Sequence, residues 1–162
     1  MGVDAILEDA SVARRSLYQH FGGKSSLIAE SLRDSARKDE ERYRTTLASG
    51  GDDPRKRVLA VFDQLDRTTS APGFRGCRYV SAELSLPEST HPAHEVIRAY
   101  TETLHQIFEA ELANLGHPDP ADGSDQILVL IDGILAIGAI RPESHPALSA
   151  RPLVEHILAR GA

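Results

Sequence analysis

Along the whole chain, valine, isoleucine, leucine, tyrosine and phenylalanine return at three- and four-residue steps, and no stretch of strand length alternates with a period of two. The clearest case is Val96, Ile97, Tyr100, Leu104, Ile107, Phe108, Leu112 and Leu115, opened by Thr90 or His91 and closed by Gly116. Spacing of this kind puts one apolar stripe on one side of a helix and leaves nothing for a sheet to bury. It predicts an all-α fold. A chain of 162 residues has room for one substantial core and a small appended subdomain, but not for two large domains.

The same rule, applied from the front, predicts a short helix around Val3, Ile6 and Leu7 and a second from Ala13 to Phe21, stopped by Gly22 and Gly23. A long helix over 24–47 follows, with Ser25 or a neighbour as its cap and Leu27, Ile28 and Leu32 inward. Its second half, RDSARKDEERYR, reads as a solvated surface whose opposite charges, three and four apart, contribute about 0.2–0.5 kcal/mol per pair. SGGDDP ends this unit, so the joint between subdomains is placed there, at 46/47, with Pro54 in the first turn of the next helix. Val58, Leu59, Val61, Phe62 and Leu65 give that helix its apolar side, and Pro72 and Gly73 break the pattern. A short helix in CRYVSAELSL stops at Pro87. Beyond Gly116, HPDPADGS reads as a loop, an apolar helix spans 125–140, and RPESHP separates it from a last helix carrying Leu148, Leu153, Val154, Ile157 and Leu158.

The net charge of −6 argues against a protein that coats nucleic acid along its whole surface, so any contact with DNA has to be local. One local island stands out. Between Ala10 and Leu27 lie Arg14, Arg15 and Lys24 with no carboxylate among them. The single cysteine, Cys77, excludes an internal disulfide or a multi-cysteine metal cluster and fits a reducing cytoplasm. The apolar run over 127–140 is interrupted by Asp132 and is shorter than the roughly 20 residues of a membrane span, so it is expected to be a buried helix.

Two short helices joined by a three- or four-residue turn, ILEDA-SVA-RRSLYQHF, have the dimensions of a helix-turn-helix, whose second helix can enter a DNA major groove. Leu17 and Phe21 would pack inward with Val12, leaving Arg14, Arg15, Ser16, Tyr18, Gln19 and His20 on the outer surface. Arginine suits guanine edges, glutamine suits adenine edges, and serine, tyrosine and lysine suit phosphate oxygens. Lys24 stands where the long helix begins, so its ammonium and the free backbone N–H groups there could hold one phosphate together. Composition alone leaves open whether the island is such a contact or only a solvated surface.

Residue order carries more than composition. VARRSLYQHFGGKSSLIAESL resembles the signature of the TetR family of transcriptional regulators: a valine, variable polar residues, a small hydroxyl residue, LY-x-HF, one or two glycines and a lysine. The resemblance implies a helix-turn-helix DNA-binding subdomain over 1–46 and a ligand-binding and dimerisation domain over 47–162. The expected function is a ligand-responsive regulator, a repressor released from a palindromic double-stranded DNA operator by a small-molecule effector. Seven further helices are expected, with RGCRYV and DGILAI as weaker points of similarity. Carried over by position, Arg14, Arg15 and Ser16 fall at the leading edge of the recognition helix, where bases or adjacent phosphates are read. Tyr18, His20 and Lys24 fall on backbone-contacting positions, and Gln19 on one that reaches either. Ser11 stands where the family usually has glycine. The family also begins with a helix that packs across the helix-turn-helix, and Met1-Gly2 lies inside the cap that follows that helix. The expectation is therefore a shortened chain with weak operator binding. The alternative is a helical ligand-binding and dimerising module without effective DNA binding.

A ligand domain of this kind needs a mostly apolar cavity with a few placed polar groups. Phe62, Tyr79, Glu83, Tyr100, Leu104, His105 and Asp132 lie on helices expected to line it, although a tyrosine at helical spacing also suits a core, and Asp132 also suits an interface. Cys77 lies between Arg75 and Arg78 and reads either as an oxidant sensor or as an inert buried thiol, the commoner case. Because 127–140 is apolar on all sides, one small chain can hardly cover it. A homodimer through the last two helices, two from each chain, would do so, and Gly133 and Gly138 would permit close approach. No enzyme is expected. HPAHE has its histidines and glutamate in the wrong order for a zinc peptidase, no nucleophile has a convincing partner, and neither a metal nor another cofactor is implied.

Overall fold

The computed structural model of the chain describes residues 23–86 and 88–161. The predicted helices over the first 21 residues lie outside these. So do the proposed DNA contacts Arg14, Arg15, Ser16, Tyr18, Gln19 and His20.

Among the described residues there are six α-helices and one 3-10 turn, and no strand. The helices are α1 (Lys24–Ala48), α2 (Pro54–Thr69), α3 (Arg78–Ser85), α4 (Pro92–Leu115), α5 (Pro120–Ile140) and α6 (Pro146–Ala159), with the 3-10 turn Pro142–Ser144 before α6. The described residues therefore carry six of the seven helices expected.

Local chemistry sets most of the boundaries. Gly23 enters α1 with φ at 147°, a conformation side-chain-bearing residues rarely adopt, so glycine is required where the chain turns into the long helix. Asp53 caps α2 by accepting from the Arg55 N–H, and Pro54 fills a first-turn position that needs no donor. The His91 imidazole does the same for α4 through the Ala93 N–H, and Gly116 closes that helix. α5 begins five residues earlier than the sequence suggested. DPADGS reads as a loop by composition, yet Asp119 accepts from the Asp122 N–H and Pro120 sits in the first turn, so the same residues start a helix.

α4 runs through the middle. α1, α2 and α5 pack around it, α2 also touches α1 and α5, and α6 closes the bundle against α2 and α5. The core holds Phe62 and Val58 from α2, Phe108 and Leu112 from α4, Ile127 and Ile131 from α5, and Val154 and Leu158 from α6, all buried. Polar ties join the helices at its edge: Arg57 donates to Glu111 at 2.6 Å between α2 and α4, and on the surface Arg151 donates to Asp63 at 2.5 Å between α6 and α2.

Two expectations need correction. The charged half of α1 is not wholly solvated: Ala36, Asp39, Tyr43 and Leu47 are buried along it, continuing the stripe of Ala29 and Leu32. Nor is α5 buried on every side. Ile127, Ile131, Ile134 and Gly138 face the bundle, while Val129, Ile137 and Ile140 are exposed. α5 is long and apolar enough to cross a membrane by length and composition, but its inner side is packed on α4, α6 and α2.

Candidate functional site

α3 has only one extensive neighbour, α4, and one buried side chain of its own, Tyr79. The Tyr79 ring stacks on Tyr100 of α4 with centroids 4.0 Å apart and planes at 26°. Its hydroxyl donates to Oδ2 of Asp39 on α1 at 2.8 Å. The other carboxylate oxygen of Asp39 takes the Arg42 guanidinium at 2.7 Å, and Arg78 approaches Oδ2 at 3.9 Å while donating to the Ser35 hydroxyl at 3.1 Å. Burial raises the pKa of Tyr79, Tyr100 and Tyr43 above the usual phenol range, so all three keep their protons and can donate.

A cavity lies on each side of this stacked pair, and Cys77, Tyr79 and Tyr100 touch both. The first, about 560 Å³, lies between α1, α2 and the segment leading into α3, with Tyr43, Phe74, Arg42, Arg75 and Leu135 in its wall. The second, about 990 Å³, lies between α3, α4 and α5, with Val80, Ile97, Leu104, Leu128 and Ile131 giving it an apolar lining. Both volumes fall in the range of about 300–1,000 Å³ common for small-molecule sites. Their charges differ. Asp39 is the single carboxylate in the first wall against Arg42, Arg75 and Arg78. The second carries Glu83, Glu95, Glu102 and Asp132 against Arg98 alone. Burial raises the Asp132 carboxyl pKa, and it likewise raises that of the Cys77 thiol, which holds Cys77 in its unreactive protonated form.

The seven pocket residues expected from the sequence divide as follows. Tyr79 and Tyr100 border both cavities, and Glu83, Leu104 and Asp132 line the second. Phe62 is fully enclosed in the core and lines neither. His105 also lines neither; it faces Asp125 at 3.3 Å and Glu109 at 3.7 Å. Asp39, Arg42, Tyr43 and Arg75 are wall residues the sequence reading missed. For Asp39 and Tyr43 a signal existed, since both continue the three- and four-residue spacing of Leu32 and Ala36.

The histidines of HPAHE have structural positions: His91 caps α4, and His94 bridges Glu83 at 2.7 Å and the Glu88 carbonyl at 3.0 Å. Among the described residues no three histidine, cysteine or carboxylate side chains come together to hold a metal. Lys24 is exposed at the first position of α1, whose first turn contains no acidic residue.

On the outside, Val129, Ile137 and Ile140 of α5 are 71%, 43% and 74% exposed, and Leu148 and Leu153 of α6 are 52% and 57% exposed. Gly133 has nothing near where a Cβ would stand. Gly138 is different: a Cβ there would lie 2.6 Å from the Cβ of Thr69, so its close approach is used inside the chain, against α2.

No family model matches the sequence. No curated protein matches it either. Solved structures do. A TetR-family transcriptional regulator from Streptomyces coelicolor superposes with a TM-score of 0.84 at 27% identity, covering 98% of this chain and 84% of its own. A TetR transcriptional regulator from Streptomyces avermitilis superposes at 0.80 with 30% identity, covering 99% of this chain and 87% of its own. The reduced form of Escherichia coli NemR shares the fold, with a TM-score of 0.72 at 23% identity over 99% of this chain and 84% of its own. With its all-α architecture and nearly complete coverage at 30% identity, the chain belongs to the TetR family of transcriptional regulators, proteins that act as regulators and not as enzymes.

Proposed function

We propose that the chain is a homodimeric, ligand-responsive repressor that works in the cytoplasm and leaves a palindromic DNA operator when a small molecule enters its helical domain. The observation that carries this reading is the exposed apolar face of α5 and α6. Val129, Ile137, Ile140, Leu148 and Leu153 leave five large apolar side chains in water on two neighbouring helices, a pattern that favours cover by a partner. A second copy placed about a two-fold axis covers both helices at once and gives a four-helix bundle.

Two copies carry two reading heads. Arg14, Arg15 and Ser16 contact bases or the phosphates beside them, Gln19 reaches either, and Tyr18, His20 and Lys24 hold the backbone. α1 links the two activities. Asp39 lies fifteen residues after Lys24 on the same helix, about 22 Å along its axis, so a ligand that displaces Tyr79 acts on the helix that begins at the reading head. The ligand shifts the population only by the difference in its affinity for the two states.

Sedimentation of the wild-type chain at micromolar concentration is expected to give a dimer, and Val129→Asp with Ile137→Asp a folded monomer that has lost its affinity for operator DNA. A monomeric wild-type chain would overturn the interface.

A further inference from the structure

The two cavities on either side of Tyr79 and Tyr100 have opposite charge, and the first combines its excess of guanidinium groups with aromatic walls. In the first wall, both oxygens of Asp39 are already engaged, one by the Tyr79 hydroxyl and one by Arg42. Arg78 is turned toward Ser35 and the same carboxylate. Arg75 has no hydrogen-bond or ion-pair partner among the described residues. Three guanidiniums thus share a wall with one carboxylate, and Arg75 is the one that does not reach it. No side chain caps the amino end of α3, and Arg78 and Tyr79, its first residues, border the same space. Tyr43, Phe74, Tyr79 and Tyr100 supply flat apolar walls around it.

From this we infer that the first cavity takes a planar aromatic carboxylate, its ring beside the Tyr79–Tyr100 stack and its carboxylate on Arg75, with Arg42 and Arg78 adding to the field. The inference rests on the reading of this domain as a ligand sensor and adds the ligand's class. A carboxylate is matched by the planar fork of arginine, whose two parallel N–H groups hold both oxygens. Aromatic rings gain from stacking on tyrosine. An amine is disfavoured in this cavity by the same arginines and directed instead to the second, where Glu83, Glu95, Glu102 and Asp132 line the wall.

The test uses the full chain and three probes that share one ring system and carry an anionic, a neutral or a cationic substituent: 2-naphthoate, 2-naphthamide and 2-naphthylmethylammonium, followed by calorimetry without DNA. Naphthoate is expected to bind about tenfold or more tightly than the amide, since a hydrogen bond to a charged group outweighs one to a neutral group by that order. Arg75→Ala should weaken naphthoate more than the amide and so narrow this advantage, with Arg42 and Arg78 retaining the remainder, and Arg75→Lys should recover only part of the loss. Arg75 is exposed in a loop, so both variants are expected to fold. Equal affinity for naphthoate and the amide, loss of ammonium binding in Arg75→Ala, or no binding by naphthoate would each overturn the assignment. Release of operator DNA is measured separately. If naphthoate binds through Arg75 but leaves the operator complex intact, the ligand class stands and the release mechanism falls.

Discussion

The hydroxyl of Tyr79 donates a 2.8 Å hydrogen bond to the buried carboxylate of Asp39, fastening the shortest described α-helix to the longest. Asp39 is 5% exposed, so a lost donor is not replaced by bulk water. Tyr79→Phe keeps the ring stacked on Tyr100 and removes only the O–H. It is expected to lower stability by about 1–3 kcal/mol, the usual cost of leaving a buried polar group short of a partner. Urea unfolding measures this; an unchanged midpoint would mean that α3 is not held to α1 through this bond.

His94 joins the end of α3 to the start of α4. Its Nδ1 lies 2.7 Å from Glu83 Oε2 and its Nε2 3.0 Å from the Glu88 carbonyl, and both partners can only accept. Both ring nitrogens therefore carry protons in this arrangement. The Glu83 hydrogen bond raises the imidazole pKa above 6.5, outweighing the opposite effect of desolvation. A folded-state pKa above the unfolded one gives stability that is fully present below pH 6.5 and lost as pH rises through the higher folded value. The melting temperature should thus fall as pH rises from 6.5, and His94→Gln should flatten that fall. Parallel melting curves for wild type and variant between about pH 5.5 and about pH 8.5 would remove His94 from the account.

Gly138 and Gly133 lie on the same helix and predict opposite results. Alanine at 138 puts a methyl group 2.6 Å from Thr69 Cβ, where α5 crosses α2, and should cost about 1–3 kcal/mol through overpacking. Alanine at 133 meets nothing within the chain, so in the monomeric Val129→Asp, Ile137→Asp background it should stabilise the helix by up to about 1 kcal/mol. Thermal unfolding of the two variants decides it. Equal effects would mean that the α2–α5 crossing is looser than described.

What could be read from the sequence was mostly local. Asp53-Pro54, His91-Pro92 and Gly116 announce helix ends through their own hydrogen bonds and dihedral angles, and α2 and α4 follow from them. The same logic failed at DPADGS, where residues common in loops act as cap and first turn. In the second half of α1 the density of charge hid a stripe that was present in the spacing, so Asp39 and Tyr43 were taken for surface. Arg75 and Phe74 could not have been found. They enter the first cavity because α1, α2 and the loop before α3 converge, and no local period records that. Composition showed that 127–140 is apolar all round, but not which side packs within the chain: Ile127, Ile131 and Ile134 turn inward, while Val129, Ile137 and Ile140 stay exposed.

The central claim is that two copies, joined through α5 and α6, read DNA with a pair of helices related by two-fold symmetry. Selection of bound sequences from a random duplex pool by the full chain tests it most directly. The expected result is a palindrome whose half-sites are centred about 10–10.5 base pairs apart, or at a multiple of that spacing, with the enrichment abolished by Arg14→Ala and Arg15→Ala. An enriched motif without two-fold symmetry, or no enrichment above non-specific binding, would contradict it.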